Sequence, residues 1–285
     1  MIQDIAKHVD VVCGNVINLN EIIEAIKKYN VTKIIHLAFL LGQESDANPL
    51  KATYINVIGT LNIFEAAKLM NCERVCTASS ISIYGFDNAY DPSELPVSED
   101  APIRYRVNRT YAAGKVYMEE MAQLYREEHG TLVCGLRPSF VYGLGRKIGR
   151  WSIASEMIEK AVMGEPVCTT GGNVQISMVY VDDVADAWIA LLEADKKRFK
   201  HYFYNTGGDA TTLGQIGKTI KQYIPGAKIE ITPGSEIHGP SGAASVSSKV
   251  IAEELGFRRK YTPLEVGIQA MISDVKKRLP HRSKR

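Results

Sequence analysis

Short apolar runs alternate with amphipathic stretches through the first half of this chain, and that alternation restricts the fold more than any other feature. Residues 9–13, 33–38, 74–78 and 132–137 are brief and nearly continuous in apolar side chains, as strands covered on both faces are. Between them, residues 19–29, 49–70 and 109–129 repeat apolar positions at helical spacing. Strand, helix, strand in this order predicts an α/β fold with a doubly wound parallel sheet, helices on both faces. A helix over 182–194 and a later strand at Tyr202-Phe203-Tyr204 continue the pattern. Beyond Tyr142 glycine and proline become frequent, with short helices at 153–163 and 213–223 between them, which predicts a smaller C-terminal lobe. The expected division is 1–142, with a return segment at about 176–206, and 143–285.

At 285 residues and 45% hydrophobic, the chain can bury the core such a sheet requires. A formal charge of +2 gives no reason to expect a nucleic-acid partner. The basic tail, Lys276 to Arg285, reads as a solvated terminus. Five cysteines without metal-ligand spacing read as reduced, small apolar residues, which points to the cytoplasm; no metal site is expected. No apolar run reaches the length of a membrane span, and Met1-Ile2-Gln3-Asp4 lacks the layout of a signal peptide.

Candidate chemistry lies at Ser80, within Thr77-Ala78-Ser79-Ser80-Ile81-Ser82-Ile83-Tyr84-Gly85, and at Tyr111-Ala112-Ala113-Gly114-Lys115. A phenol is a poor base at neutral pH unless a cation favours its ionised form, and a lysine four residues on lies on the same helix face. Tyr111 is thus a candidate general acid/base, Lys115 its cation, and Ser80 a hydrogen-bond partner for a substrate oxygen, as moving a proton beside a hydride transfer demands. Tyr-x-x-x-Lys alone is weak: 14 tyrosines and 20 lysines make about one match expected by chance. Tyr29 to Lys33 is a second match, read as a helix-to-strand turn.

Several runs in order carry a resemblance: Gly14-Asn15-Val16, Ile34 to Ala38, Asn56 to Asn62, Ala78-Ser79-Ser80 with Tyr84-Gly85, Tyr111 to Lys115, Leu136-Arg137-Pro138 with Val141-Tyr142-Gly143, and Tyr180 to Ala185. The chain resembles the extended short-chain dehydrogenase/reductase superfamily, and within it the NAD-dependent epimerase/dehydratase branch, over nearly its whole length. The resemblance implies a Rossmann-like fold, an NAD or NADP cofactor, a small-molecule substrate, and a homodimer packed through the helices at 49–70 and 109–129. It implies Ser80, Tyr111 and Lys115 as the catalytic trio, Lys115 also holding the nicotinamide ribose. Asn15 and Val16 would flank the adenine, Leu37, Ala38 and Phe39 would pass under the cofactor, and Ser79 would line it. Asn56 would steady the lysine's surroundings or a cofactor-linked water, and Ser139 would line the nicotinamide end. Strand-end packing is the competing reading for Val16, Leu37 and Ala38, and an ordinary polar helix position for Asn56.

The chain also departs from that pattern. The opening strand, glycine-rich turn and helix that receive the pyrophosphate are expected to be missing, Met1 aligning past the family's second strand. Either residues 9–13 close up beside 33–38 or a strand edge is left exposed. Either the true start lies upstream, or the chain is a shortened member with a weakened dinucleotide site; weak cofactor binding is expected in both cases. The arginines that pair with a nucleotide sugar's diphosphate have no counterpart at 174–177 or 239–243, with Arg146, Lys147 and Arg150 as candidate substitutes. Ile81 and Ser82 replace the Asp-Glu pair of the 4,6-dehydratases. The Tyr180 to Asp183 stretch is similar to the threonine 3-dehydrogenase branch. The implied activity is Tyr-assisted hydride transfer at a carbinol of a nucleotide sugar or of a smaller hydroxy substrate, the alternative being a non-catalytic member.

Overall fold

A computed structural model describes residues 8–104, 109–149, 151–234 and 245–278. Four parallel strands, β1 (Lys33–His36), β2 (Arg74–Ala78), β3 (Val133–Arg137) and β7 (Phe203–Asn205), form one sheet in the order β1-β2-β3-β7. Side chains of a strand alternate between faces, and here the alternation sorts them into two cores. Val75, Val133 and Phe203 pack with Ile26, Ile63, Phe64, Met118 and Ala122. Their neighbours Cys76, Cys134, Leu136 and Tyr204 pack with Val184, Trp188, Leu191, Ile251 and Leu255. The first core belongs to α1 (Leu19–Tyr29), α3 (Gly59–Leu69) and α4 (Thr110–His129); the second to α6 (Val181–Glu193) and α8 (Lys249–Leu255). The sheet is therefore doubly wound. At Gly135 a Cβ would stand 2.2 Å from the Thr77 carbonyl oxygen and 2.5 Å from the Phe203 ring, so the register across β2, β3 and β7 requires glycine.

Residues 9–13 form no strand, contrary to the expectation from their apolar content. Val9, Val11 and Val12 are 47%, 69% and 54% exposed, and β1 is the sheet's edge, with Ile35 40% and Leu37 57% exposed. A strand needs a ladder partner and a covered face, and this run has neither. Of the two expected arrangements, the open edge is the one observed. The cysteines also divide: Cys72, Cys76 and Cys134 are buried as expected, whereas Cys13 and Cys168 are exposed.

The helix expected over 49–70 begins at Pro49–Ala52, passes through a π turn at Thr53–Ile58 and continues as α3. Its Asn56 is buried in that turn. Helix α4 starts against α2 (Gly42–Ala47): Asp46 accepts from the Thr110 amide at 3.1 Å and from Arg109 Nη1 at 3.0 Å, a carboxylate at a helix N-terminus. Arg74, 1% exposed, donates to the carbonyls of Leu191, Leu192 and Ala194, fixing the C-terminal end of α6 to the start of β2.

Beyond Tyr142 the chain builds a second, mixed sheet from β4 (Phe140–Tyr142), β6 (Gln175–Tyr180) and β8 (Asp209–Thr212), and a parallel pair from β5 (Val167–Thr170) and β9 (Ile229–Thr232). Helices α5 (Ser152–Met163), α7 (Leu213–Tyr223) and α9 (Leu264–Arg278) close a core around Trp151, Met157, Met178, Ile216 and Met271. The loop from β4 to α5 is tied down from α5: Gly143 N donates to Ser155 Oγ at 3.1 Å, Gly145 N to Glu159 Oε1 at 3.0 Å, and Lys147 pairs with Glu159. That loop roofs the site described next. Arg150, residues 239–243, Met1–Asp4 and the tail from Leu279 lie outside the described residues. Among the described residues, no helix is long and apolar enough to cross a membrane.

Candidate active site

A cavity of about 750 Å³ opens at the C-terminal ends of β1, β2 and β3, where a doubly wound sheet presents its loops. Its lining includes Leu37 and Phe39 after β1, Ser79 and Ser80 after β2, Tyr111 and Lys115 on α4, Ser139 after β3, and Arg146 in the roof loop. Seven of the sequence-derived candidates thus converge: Ser79, Ser80, Tyr111, Lys115, Ser139, Leu37 and Phe39. Four do not line the cavity: Ala38, Asn15, Val16 and Asn56. Ala38 is exposed beside it. Asn15 is exposed at the turn into α1, its amide donating to Glu21 Oε2 at 2.7 Å. Val16 packs against the start of α3, where a Cβ on Gly59 would meet it at 2.7 Å.

Asn56 also differs from its expected role. It touches neither Lys115 nor the cavity. Its side chain accepts from Leu40 N at 2.8 Å and donates to Leu40 O at 3.0 Å and Ser45 Oγ at 3.2 Å. It therefore pins the loop that carries Phe39 and Leu41 into the wall.

The strand-to-turn geometry aims Ser80. Its Oγ accepts from Ser82 N at 3.1 Å as cap of the 3₁₀ turn Ile81–Tyr84, which leaves the hydroxyl proton free to donate to the Tyr111 phenol. Burial pushes the Tyr111 pKa up; Ser80 and the positive charge of Arg146 pull against that without reversing it. Lys115, the cation expected from the four-residue spacing, also stands beside the ring. Its Nζ lies 5.4 Å from the Tyr111 ring centroid, donates to Ala78 O, and sits 3.0 Å from the centroid of the Phe39 ring. Desolvation holds the lysine well below its usual pKa, partly offset by Glu119 one turn further along α4.

Behind the wall, Ser79 donates to Glu119, which receives Arg137 through Nε at 3.0 Å and Nη2 at 2.6 Å. Arg137 also reaches the Tyr84 hydroxyl at 2.6 Å, and Tyr84 donates to Asn205 Oδ1 at 3.0 Å. This buried network joins α4, β3, the turn after Ser80 and the end of β7. Sequence reading missed it, although Glu119 stands four residues from Lys115, a signal of the same kind as the Tyr111 to Lys115 spacing. Ser139 is fixed through its amide, which donates to Thr206 Oγ1 at 3.1 Å, and through Oγ, which accepts from Ser177 Oγ at 3.2 Å.

Two buried polar atoms of cavity-lining residues have no hydrogen-bond partner, Ser82 Oγ and Arg146 Nε. Residues 3–207 match the NAD dependent epimerase/dehydratase family. The chain belongs to this family.

Among its relatives, an uncharacterized protein of Methanocaldococcus jannaschii is 32% identical over 209 residues, covering 72% of this chain and 60% of that protein. A putative UDP-glucose 4-epimerase of the same organism is 32% identical over 206 residues, covering 70% of the chain and 64% of the relative. The chain thus spans less than two thirds of the length of these two curated relatives. In fold it is similar to an L-threonine dehydrogenase from Cupriavidus necator in its holo form, with TM-score 0.82, 22% identity, and coverage of 94% of this chain and 86% of that one.

The family is NAD dependent, and the reacting end of the cavity fits a nicotinamide nucleoside. Ser80, Tyr111 and Ser139 face one space, the Ser82 hydroxyl is unsatisfied beside it, and Lys115 uses only one hydrogen bond.

Proposed function

We propose that this chain is an NAD(P)-dependent oxidoreductase or epimerase acting at a carbinol or carbonyl, with Tyr111 as the proton carrier. The observation that carries this reading is the convergence of Ser80, Tyr111 and Lys115 on one cavity from two separate elements. When bound, the nicotinamide accepts or returns a hydride. Tyr111 Oη takes the hydroxyl proton, or gives one back to a carbonyl oxygen, and Ser80 orients that oxygen by hydrogen bonding. Lys115, which gives one hydrogen bond to Ala78 O, would hold the nucleoside hydroxyls. The cavity walls exclude water through Leu37, Phe39 and Phe140.

A compact hydroxy substrate suits this cavity better than a nucleotide sugar. Ile176 and Ser177 are fully buried where a diphosphate-binding arginine would be expected, and Arg259 is engaged by Asp209 at 3.0 Å. The division at about residue 142 into a cofactor part and a substrate part, the homodimer through the helices at 49–69 and 110–129, and a cytoplasmic location belong to the same proposal.

A second reading is favoured by one observation, the Phe39 ring standing against Lys115 Nζ. It holds that the chain keeps the fold without cofactor chemistry. Calorimetric titration with NAD and with NADP, followed by turnover with Tyr111→Phe as control, separates the two. Saturable binding and a rate that falls at least about 100-fold in Tyr111→Phe support the enzyme. A folded chain that binds neither dinucleotide supports the second reading.

A further inference from the structure

Among the described residues, the cations lining the cavity are Arg109, Lys115, Arg146 and Lys147, against one acidic residue, Asp46. Three of the four have partners. Arg109 pairs with Asp46, Lys147 with Glu159, and Lys115 donates to Ala78 O. Arg146, among the described residues, has no ion pair and no side-chain hydrogen bond, and its Nε is buried. Arg146 is half-buried, and a guanidinium in a cavity wall without a carboxylate or carbonyl partner keeps its fork of donors free for an anion.

Its surroundings fix where that anion would lie. The roof loop is bolted to α5 through Gly143, Gly145 and Lys147, so Arg146 is carried on a constrained turn. Gly149 has φ +97°, and a Cβ there would stand 3.1 Å from Arg146 Nη2 and 3.3 Å from Leu41 Cδ1. The guanidinium is thus packed beneath the Gly149 backbone, close to Leu41. It is also near enough to Tyr111 for its charge to favour the phenolate, so the anion it receives and the carbinol at Tyr111 belong to neighbouring parts of one small molecule.

We propose that Arg146 is the substrate anchor of this site, taking an anionic oxygen group, a carboxylate or a phosphate, that the substrate carries close to its reacting carbinol. The fork of a guanidinium pairs with two oxygens of either group. This rests on the cavity being the substrate site, as proposed above, and extends that reading to the substrate's chemical class: a short hydroxy acid or a phosphorylated hydroxy compound.

The test is equilibrium binding to the 285-residue chain, followed by ligand-observed NMR without any requirement for turnover. The probes are 3-hydroxybutyrate, its neutral methyl ester, glycerol 3-phosphate and glycerol. The expected result is that at least one charged probe binds saturably and its neutral counterpart binds roughly tenfold or more weakly. Arg146→Met should bring the charged probe down to the level of the neutral one. Arg146→Lys, which keeps the charge and loses the fork, should fall between. Preference for 3-hydroxybutyrate identifies a carboxylate, and preference for glycerol 3-phosphate a phosphate.

Equal binding of charged and neutral probes, undiminished binding in Arg146→Met, or no saturable binding of either charged probe overturns the proposal, whatever the turnover. If near-ultraviolet circular dichroism finds Arg146→Met unfolded, Arg146→Lys decides: wild-type affinity overturns the anchor and reduced affinity supports it. Anion binding that depends on Arg146 in a chain without hydride transfer leaves the anchor standing and removes the enzymatic reading.

Discussion

Glu119 accepts from Nε and Nη2 along one edge of the Arg137 guanidinium, at 3.0 and 2.6 Å, directly behind the cavity wall formed by Ser79. Both side chains are about nine-tenths buried, 8% and 10% exposed. Removing one partner of such a pair strands the other charge in the core, so Glu119→Ala should cost about 3–5 kcal/mol in urea unfolding. The double variant Glu119→Leu with Arg137→Met should recover much of that loss. A single variant as stable as wild type would mean the pair is not holding β3 to α4.

His36 gives the fold a defined acid sensitivity. Burial, with the nearby Lys115 adding to it, lowers its pKa to about 3. Thr60 Oγ1 donates to Asn56 O at 2.6 Å, so His36 Nε2, 3.1 Å away, is the donor in its contact with Thr60. The unfolded chain takes up this proton near pH 6.5 and the folded one near 3, so stability from His36 is complete above about 6.5 and is lost as pH falls through that window. Between pH 6.5 and 4.5 the loss is about 2.3 kcal/mol. Denaturation at the two pH values should show His36→Gln losing less stability than wild type by a comparable amount; equal slopes would count against it.

Phe39 covers Lys115 where nucleoside hydroxyls would be received. A binding-competent state that requires the ring to move lowers apparent affinity by its population. Phe39→Ala should therefore bind NAD several-fold more tightly than wild type in calorimetry, at some expense in thermal stability. Unchanged or weaker affinity would show that the ring does not obstruct the cofactor.

Leu50, Tyr54 and Ile58 on the helix leading into α3 are 71%, 52% and 38% exposed, and Tyr117 and Leu124 on α4 are 44% and 43% exposed. The proposed homodimer buries these side chains. Tyr54→Glu combined with Leu124→Glu should shift gel filtration from a dimer to a monomer while leaving far-ultraviolet circular dichroism unchanged. A wild-type chain that runs only as a monomer would exclude the dimer.

Much of the framework was legible in order along the chain. The helices at 19–29, 110–129 and 213–223 and the strands at 74–78 and 133–137 fall where periodicity and apolar runs place them, because helical faces and strand cores are local patterns written in adjacent residues. Residues 9–13 show the limit of that logic. Val9, Val11 and Val12 have a strand's composition, but strand formation depends on a partner elsewhere in the chain, and β1 keeps its edge open instead.

Tyr111, Lys115 and Glu119 share a helix face by spacing alone, and that much the sequence determined, together with the alternation that makes the sheet. Which groups act on which was decided only in three dimensions. Arg146, 35 positions away and on a different loop, joins Lys115 as a cation near Tyr111, while Lys115, four positions away, gives its hydrogen bond to Ala78 O and has the Phe39 ring against it. Asn56 turned out to pin Leu40, and Glu119 to neutralise Arg137, because each polar group in a core takes the partner that packing brings to it. Charge pairing in a buried site depends on distance and desolvation, and neither quantity is a property of sequence spacing.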